Sequence, residues 1–302
     1  MPTRTVDEGF RVFVERLTPS GGESRAATMH RASIKACLEK SFGMEDFFRT
    51  GSFGNGTSIR GFSDVDYFAQ IPRERLKADS TLTLSGIRYA LDRRFPDTGV
   101  RVSCPAIRVP FGSNEEATEI VPADYLGSHN DFRIYEIPDS EGGWMYASPD
   151  AHNWYVRDVD RSLGGKVKPL VRLIKAWKYY WKIRASSFYL EIATTQYAQS
   201  LQDIDYPFDV AQVLSILLDT QLAPIQDPMG VSGEIRASAN RLHLKDAIVR
   251  LSRTVSRTDD AVLAQICGKT SLAFDNWRIL YNNHFPAYHY FARPRPLPRP
   301  RL

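Results

Sequence analysis

Apolar positions recur along the first part of the chain in two alternating rhythms. Val6, Phe10, Phe13, Val14 and Leu17 fall on one face of a helix that Thr5 and Glu8 open as a capping box and Thr18-Pro19 ends. After the loop Ser20-Gly21-Gly22, a second helix is predicted from Ala26 to Phe42, with Ile34, Cys37, Leu38 and Phe42 inward. The rhythm then changes to period two: Val65, Tyr67, Ala69 and Ile71 take one face of a strand that Pro72 ends. Residues 79–95 return to helical spacing, capped by Asp79 or Ser80, with Leu84, Ile87, Leu91 and Phe95 inward. Val100 to Val109 alternates like a strand interrupted at Pro105, and Ala117 to Val121 is a shorter strand ending at Pro122.

From Gly165 onward the signals are helical. Val167, Leu170, Val171, Ile174, Trp177 and Trp181 make an apolar face, beside a basic one of Lys168, Arg172, Lys175, Lys178 and Lys182. Further helices are predicted at 187–201, 209–219, 236–256 and 259–281. This order of elements predicts an α+β protein: a small mixed sheet backed by helices, followed by a helical half.

Composition narrows the class little. With 302 residues, 43% hydrophobic and 25% charged, the chain can bury a sizeable core. No stretch approaches the roughly 18 consecutive apolar residues of a membrane span. The start, with Arg4, Asp7 and Glu8 in place of an apolar run, does not read as a signal peptide, so a cytoplasmic location is expected. The net charge is +4, but Arg293, Arg295, Arg299 and Arg301 supply it, and the remaining chain is neutral. A globally basic binder of nucleic acid is therefore not indicated. Cys37, Cys104 and Cys267 are odd in number and far apart, which excludes a disulfide framework or a zinc site and reads as small buried thiols.

The candidate chemistry lies in Gly51-Ser52-Phe53-Gly54-Asn55-Gly56-Thr57-Ser58-Ile59 and the following Ser63-Asp64-Val65-Asp66. Asp64 and Asp66 leave the same face of a strand, about 7 Å apart at Cα, an arrangement suited to divalent metal. The preceding glycines let backbone amides approach phosphate oxygens, and Ser52 adds a hydroxyl. Taken alone, an Asp-x-Asp reads more often than not as an edge strand with two solvated acids, since Asp is a poor strand former and common near turns.

The whole pattern resembles the signature of the DNA polymerase β-like nucleotidyltransferases. Within that superfamily it looks most like the bacterial cGAS/DncV-like nucleotidyltransferases. The resemblance implies an α+β polymerase β-like core over residues 1–160 packed on a helical domain over 161–291, with a tail over 292–302. It implies Asp64 and Asp66 as ligands of two Mg²⁺ ions, with Mn²⁺ as a substitute, and Gly51 and Ser52 at the phosphates. Glu119, in Thr118-Glu119-Ile120-Val121-Pro122-Ala123, resembles the third catalytic acid, where the family often has Asp; Asp124 is its rival. Lys175, before Ala176-Trp177, resembles the lysine that reaches the triphosphate, and Ser187 resembles the hydroxyl at the next helix's start, with Ser186 adjacent. Tyr146, Asn153, Trp154 and Tyr155 are candidates for holding a base, in the link between the halves.

The implied activity is template-independent joining of NTPs into a cyclic di- or trinucleotide second messenger, sensed by a downstream effector in bacterial anti-phage signalling. A linear oligonucleotide synthase, an enzyme acting on RNA or tRNA ends, and a regulatory nucleotide-binding module are the alternatives. The neutral body argues against a polymer track, and the three acids argue against a module without catalysis. The tail Ala292 to Leu302, rich in Arg and Pro, is extended or disordered by composition; it reads as a solvated terminus or as a docking peptide for a regulatory partner.

Overall fold

The computed structural model describes residues 5–19, 25–62, 64–111 and 116–288. The Ser20-Gly21-Gly22 loop, Ser63, Glu115 and the Arg/Pro tail lie outside the described residues. Helices α1 (Val6–Leu17) and α2 (Arg25–Phe42) precede β1 (Asp46–Arg49), the short helix α3 (Gly51–Asn55) and β2 (Val65–Gln70). Helix α4 (Ser80–Arg94) leads to β3 (Arg101–Ser103), β4 (Ala106–Phe111), β5 (Glu116–His129), β6 (Phe132–Pro138) and β7 (Trp144–Ala147). Then come α5 (Pro149–Ser162), α6 (Val167–Tyr180), α7 (Ser187–Ala198) and α8 (Tyr206–Asp219). A small hairpin, β8 (Ile225–Gln226) and β9 (Glu234–Ile235), precedes α9 (Arg241–Ile266) and α10 (Thr270–Leu280). This is the expected α+β class.

The sheet is mixed, in the order β1-β2-β5-β4-β3, with β6 on the far end of β5 and β7 beyond it. Only the β2–β5 pair is parallel among these. One face packs Ala69, Ile71, Ile107, Val109 and Ile120 against Ile34 and Leu38 of α2 and Leu84, Ile87 and Leu91 of α4. The opposite face has two zones. Towards the start of β2 it carries acids; further along, Phe68, Val121 and Ala123 are buried with Tyr135 and Ile137 of β6.

Strand β5 runs through Pro122, where the sequence predicted its end. Pro122 falls between the last pair with β4, Ile107 opposite Ile120, and the first with β6, Asp124 opposite Glu136. The missing N–H sits where β5 changes partner on that edge, so no ladder bond is lost. Strands β6 to β9 had no counterpart in the sequence reading. The predicted break near residue 257 is also absent: α9 continues to Ile266, and Gly268 separates it from α10. Of the cysteines, Cys37 is half-buried, whereas Cys104 and Cys267 are exposed, which corrects the expectation of buried thiols. Cys104 lies in the β3–β4 turn and Cys267 caps α9, so neither reaches a core.

The helical core does not stop at the chain's midpoint. Phe10 and Phe13 of α1 pack on Trp277, Tyr281 and Phe285, and Tyr155, Val156 and Val159 of α5 join the same cluster. Helices α1 and α5 therefore tie the sheet half to the helical half. No helix among the described residues is long and apolar enough to cross a membrane.

The β8–β9 loop is folded around one carboxylate. Asp227 accepts backbone N–H groups of Met229, Val231 and Ser232 at 2.9, 2.9 and 2.7 Å, and its Oδ2 lies 3.0 Å from His152 Nε2 on α5. Burial alone would raise its pKa, but His152 and these amides hold it well below the usual carboxylate range. A carboxyl depressed on folding contributes stability above its unfolded value of about 4, and that stability is lost as pH falls through the lower folded value. Asp227→Asn is therefore expected to lower the melting temperature by several degrees at pH 7, for a cost of about 1–3 kcal/mol. The gap to the wild type should shrink below about pH 4 in melts followed by circular dichroism.

Candidate active site

Asp66 lies on the acid face of β2, Asp64 immediately precedes the strand, and Glu119 of β5 sits in register opposite Asp66. Strand parity decides the rival: Ala123 shares the face of Glu119, so Asp124 points to the other side. There it is buried, with its carboxyl raised by desolvation.

Helix α3 covers this acid face. Thr50 donates its N–H to the Asp66 carbonyl at 2.8 Å, and the Ser52 N–H donates to the Asp66 carboxylate. Gly51 has φ +58°, and a Cβ there would stand 1.9 Å from Asp66 Oδ2. Only glycine lets the backbone close on the carboxylate this tightly. At the other end of α3, Gly56 closes the helix at φ +73°.

The acids repel one another. Burial, then Glu119 and Asp64, push Asp66 up to about 8, against the pull of Lys175 and the Ser52 amide. Burial and Asp64 push Glu119 up to about 7, opposed by Arg108. Burial also raises Asp64, with Arg108 again opposing, and Asp64 and Glu119 are close enough to hydrogen bond. Arg108 of β4 reaches over both, with Nη2 at 2.9 Å from Asp64 Oδ1 and Nη1 at 3.8 Å from Glu119 Oε1.

From the helical half, α6 turns its basic face inward rather than to solvent. Arg172 donates to the carbonyls of Gly56 and Ser58 at 2.6 and 3.1 Å. Lys175, 2% exposed at its side chain, pairs with the buried Glu191 of α7 and donates to Thr57 Oγ1 at 3.0 Å. Glu191 also accepts from Asn55 at 2.5 Å and Thr57 at 2.6 Å. One turn along α6, Lys178 Nζ donates to Ser187 Oγ at 2.5 Å. Burial and Lys175 push Lys178 down to about 8, while Glu119 and Asp64 oppose the shift.

Residues 4–159 match the family model described as the Second Messenger Oligonucleotide or Dinucleotide Synthetase domain. The chain belongs to this family. A probable cyclic nucleotide synthase of Bacillus cereus is 24% identical over 176 residues, 56% of this chain and 52% of that protein. The cyclic AMP-AMP-AMP synthase of an Acinetobacter species is 25% identical over 140 residues, 43% of this chain and 38% of that protein. The chain thus spans about half or less of the length of the curated relatives it matches. Among solved structures, CdnC of Escherichia coli MS115-1 with ATP superposes with a TM-score of 0.69 at 18% identity, over 93% of this chain and 99% of that one. The same CdnC has also been solved in complex with a HORMA protein. At these identities the superposition speaks for the fold alone, which this chain shares with CdnC.

Within the family fold, Gly51, Ser52, Asp64, Asp66 and Glu119 come together as their spacing and the resemblance suggested. Lys175 is buried beneath α3, held by Glu191 and Thr57 and acting on Asp66 through its charge, while Lys178 is half-buried beside Ser187. The adjacent serines also separate: Ser186 caps α7 by accepting from Tyr189 N–H at 3.2 Å, which leaves Ser187 to meet Lys178. Tyr155 is core, bonded to Gln199 at 2.9 Å, and Trp154 rests on Phe132. Arg108, Arg172 and Glu191 escaped the sequence reading. Lys178 was visible only as one lysine of a basic face, three residues from Lys175 and so on the same side.

Proposed function

We propose that this chain joins nucleoside triphosphates into a cyclic oligonucleotide with release of pyrophosphate. The observation that carries the reading is the acid row Asp66–Glu119 with Asp64 beside it, closed on one side by α3 and faced on the other by Lys178 and Ser187. The family's description supports an oligonucleotide or dinucleotide second messenger as product, and the names of the two curated relatives support a cyclic one over a linear one. The sheet half, residues 1–160, and the helical half, 161–291, form the two lips of the nucleotide cleft in this reading.

The acids suit divalent metal chemically. They are three carboxylates whose pKa values burial raises, with neighbouring acids raising Asp66 and Glu119 further, and a guanidinium already stands as a cation beside two of them. Among the described residues no three acids, histidines or thiols converge on one point as they stand. Asp64, Asp66 and Glu119 would hold Mg²⁺, or Mn²⁺ in its place, which when bound polarises the α-phosphate and lowers the pKa of the attacking hydroxyl.

Lys178 and Ser187 hold the β- and γ-phosphate oxygens, an ammonium and a hydroxyl being suitable donors to them. Ser52 contributes its hydroxyl from α3. Glu119 accepts the proton of a ribose hydroxyl as its oxygen bonds to the α-phosphorus of a second nucleotide. The bond to the β-phosphate breaks, and pyrophosphate leaves with the electron pair. A second attack of the same kind, within the linear product, closes the ring. A downstream effector that senses the product is the partner this reading requires, and anti-phage signalling is the setting in which we place it.

The test is to incubate the protein with each labelled NTP singly and in pairs, with Mg²⁺ or Mn²⁺, then treat with phosphatase. A resistant product with the mass of a cyclic nucleotide is expected; a product destroyed by phosphatase would instead indicate linear synthesis. Lys178→Ala is expected to raise KM for the nucleotides about tenfold or more, whereas the buried Lys175 acts through the position of α3. Gly51→Ala is expected to cut the rate about a hundredfold or more. Its methyl group must displace the Asp66 carboxylate. The left-handed backbone of the same variant costs about 1–2 kcal/mol of stability besides the displaced carboxylate, which melting curves would measure beside the rates.

A further inference from the structure

Arg108 stands in one row across the sheet with two of the acids. Its Cα is opposite Glu119, which is opposite Asp66, and Arg101 of β3 is opposite Arg108 on the other side. Its neighbours Ile107 and Val109 are wholly buried in the core beneath α2 and α4. Strand alternation therefore commits Arg108 to the acid face, and the guanidinium lies across β5 to reach Asp64.

The guanidinium is incompletely satisfied there. One Nη donates to Asp64 at 2.9 Å, the other stands 3.8 Å from Glu119, and the buried Nε has no hydrogen-bond partner. An arginine settled in a carboxylate fork looks different. Arg133 gives Asp150 both Nε and Nη2, at 2.6 and 3.0 Å. Arg108 has this position because two crowded acids need a positive charge, not because the geometry suits a guanidinium.

We propose that Arg108 is a resident counter-ion of the acid face, which competes with the divalent cation for Asp64 and withdraws from it when the cation binds. The proposal rests on the reading of Asp64, Asp66 and Glu119 as metal ligands. It makes the free site self-neutralising, and it ties metal loading to a movement of β4's side chain across the sheet. A bound nucleotide then aids loading by adding its own negative charge, which offsets the repulsion between the metal and the displaced guanidinium.

The experiment measures Mn²⁺ binding to the nucleotide-free protein, by electron paramagnetic resonance of the free ion, for the wild type, Arg108→Gln, Arg108→Lys and Asp66→Asn. Asp66→Asn should bind Mn²⁺ at least tenfold more weakly than the wild type; equal binding would overturn the metal-site reading itself. With that control in place, Arg108→Gln is expected to bind about tenfold more tightly than the wild type. Arg108→Lys, which keeps the charge and loses the fork, should gain less. Unchanged or weaker binding in Arg108→Gln would overturn the counter-ion role while leaving the metal site standing. If Arg108→Gln does not fold, Arg108→Lys decides: tighter binding than the wild type supports competition, and unchanged or weaker binding overturns it.

Discussion

Asp66→Asn is expected to lower product formation at least about a thousandfold while leaving the folded protein as stable as the wild type or more so. The loss follows from the place of this carboxylate, touching Gly51, bonded to the Ser52 amide, and opposite Glu119 in the sheet. An amide keeps the shape and cannot replace the charge that a metal and a transferring phosphoryl group need. The stability gain has a separate cause. Burial and two neighbouring acids hold Asp66 up at about 8, so the folded state binds its proton more tightly than the unfolded chain does. Such a group favours folding most below its unfolded value of about 4, and this contribution is lost as pH rises towards 8. The melting temperature of Asp66→Asn in EDTA should therefore match the wild type near pH 4 and exceed it near pH 8. A variant that melted lower at pH 8 would show that the carboxylate is better paired than its surroundings indicate.

Glu191→Ala should produce the largest loss of stability. The substitution leaves the Lys175 ammonium buried without its counter-charge and strips Asn55 and Thr57 of their acceptor. In the intact protein, burial raises the Glu191 pKa, but Lys175 and the Thr57 and Asn55 donors together hold it below the ordinary value. Breaking a buried pair on one side costs about 3–5 kcal/mol, which corresponds to roughly 5–10 °C in melting temperature for a chain of this size. Replacing both charges, as Lys175→Met with Glu191→Leu, should recover much of that loss, since apolar packing can substitute for a buried ion pair. The double variant should still be slower in product formation, because the α3 turn would have lost its grip from α6 and α7. Equal melting of the single and double variants would mean that the pair contributes packing alone.

These two expectations come from different sources. Asp66 was visible because a strand repeats its side-chain direction every second residue, so Asp64 and Asp66 share a face whatever the strand packs against. The turn before it, the capping box of α1 and the inward stripes of α2 and α4 are local in the same sense. Each is set by a few residues and the geometry of their own backbone. Glu119 needed the resemblance, because nothing in its own segment says that β5 lies parallel to β2.

The pairing of Lys175 with Glu191 was not legible for a related reason. Helical spacing puts Lys175 on a basic face, and spacing alone cannot distinguish a face that meets solvent from one that meets a carboxylate buried in the next helix. The aromatic residues of α5 raised the same ambiguity between core and cleft. Pro122 read as a strand end because the cost of a missing N–H depends on which partner lies beside it.

The sequence by itself determined the period of each main element, the shared face of Asp64 and Asp66, the glycine that lets α3 approach them, and the α+β order of the chain. Only the tertiary structure decided which lysine is buried against Glu191 and which meets Ser187, that Arg108 reaches Asp64 and Glu119, and that α6 and α7 hold the turn from below. Backbone geometry propagates over a few residues, so local pattern is enough for the first group. The second depends on strand register and on pairs as far apart as Thr57 and Glu191, whose meeting is fixed by the packing of the whole chain.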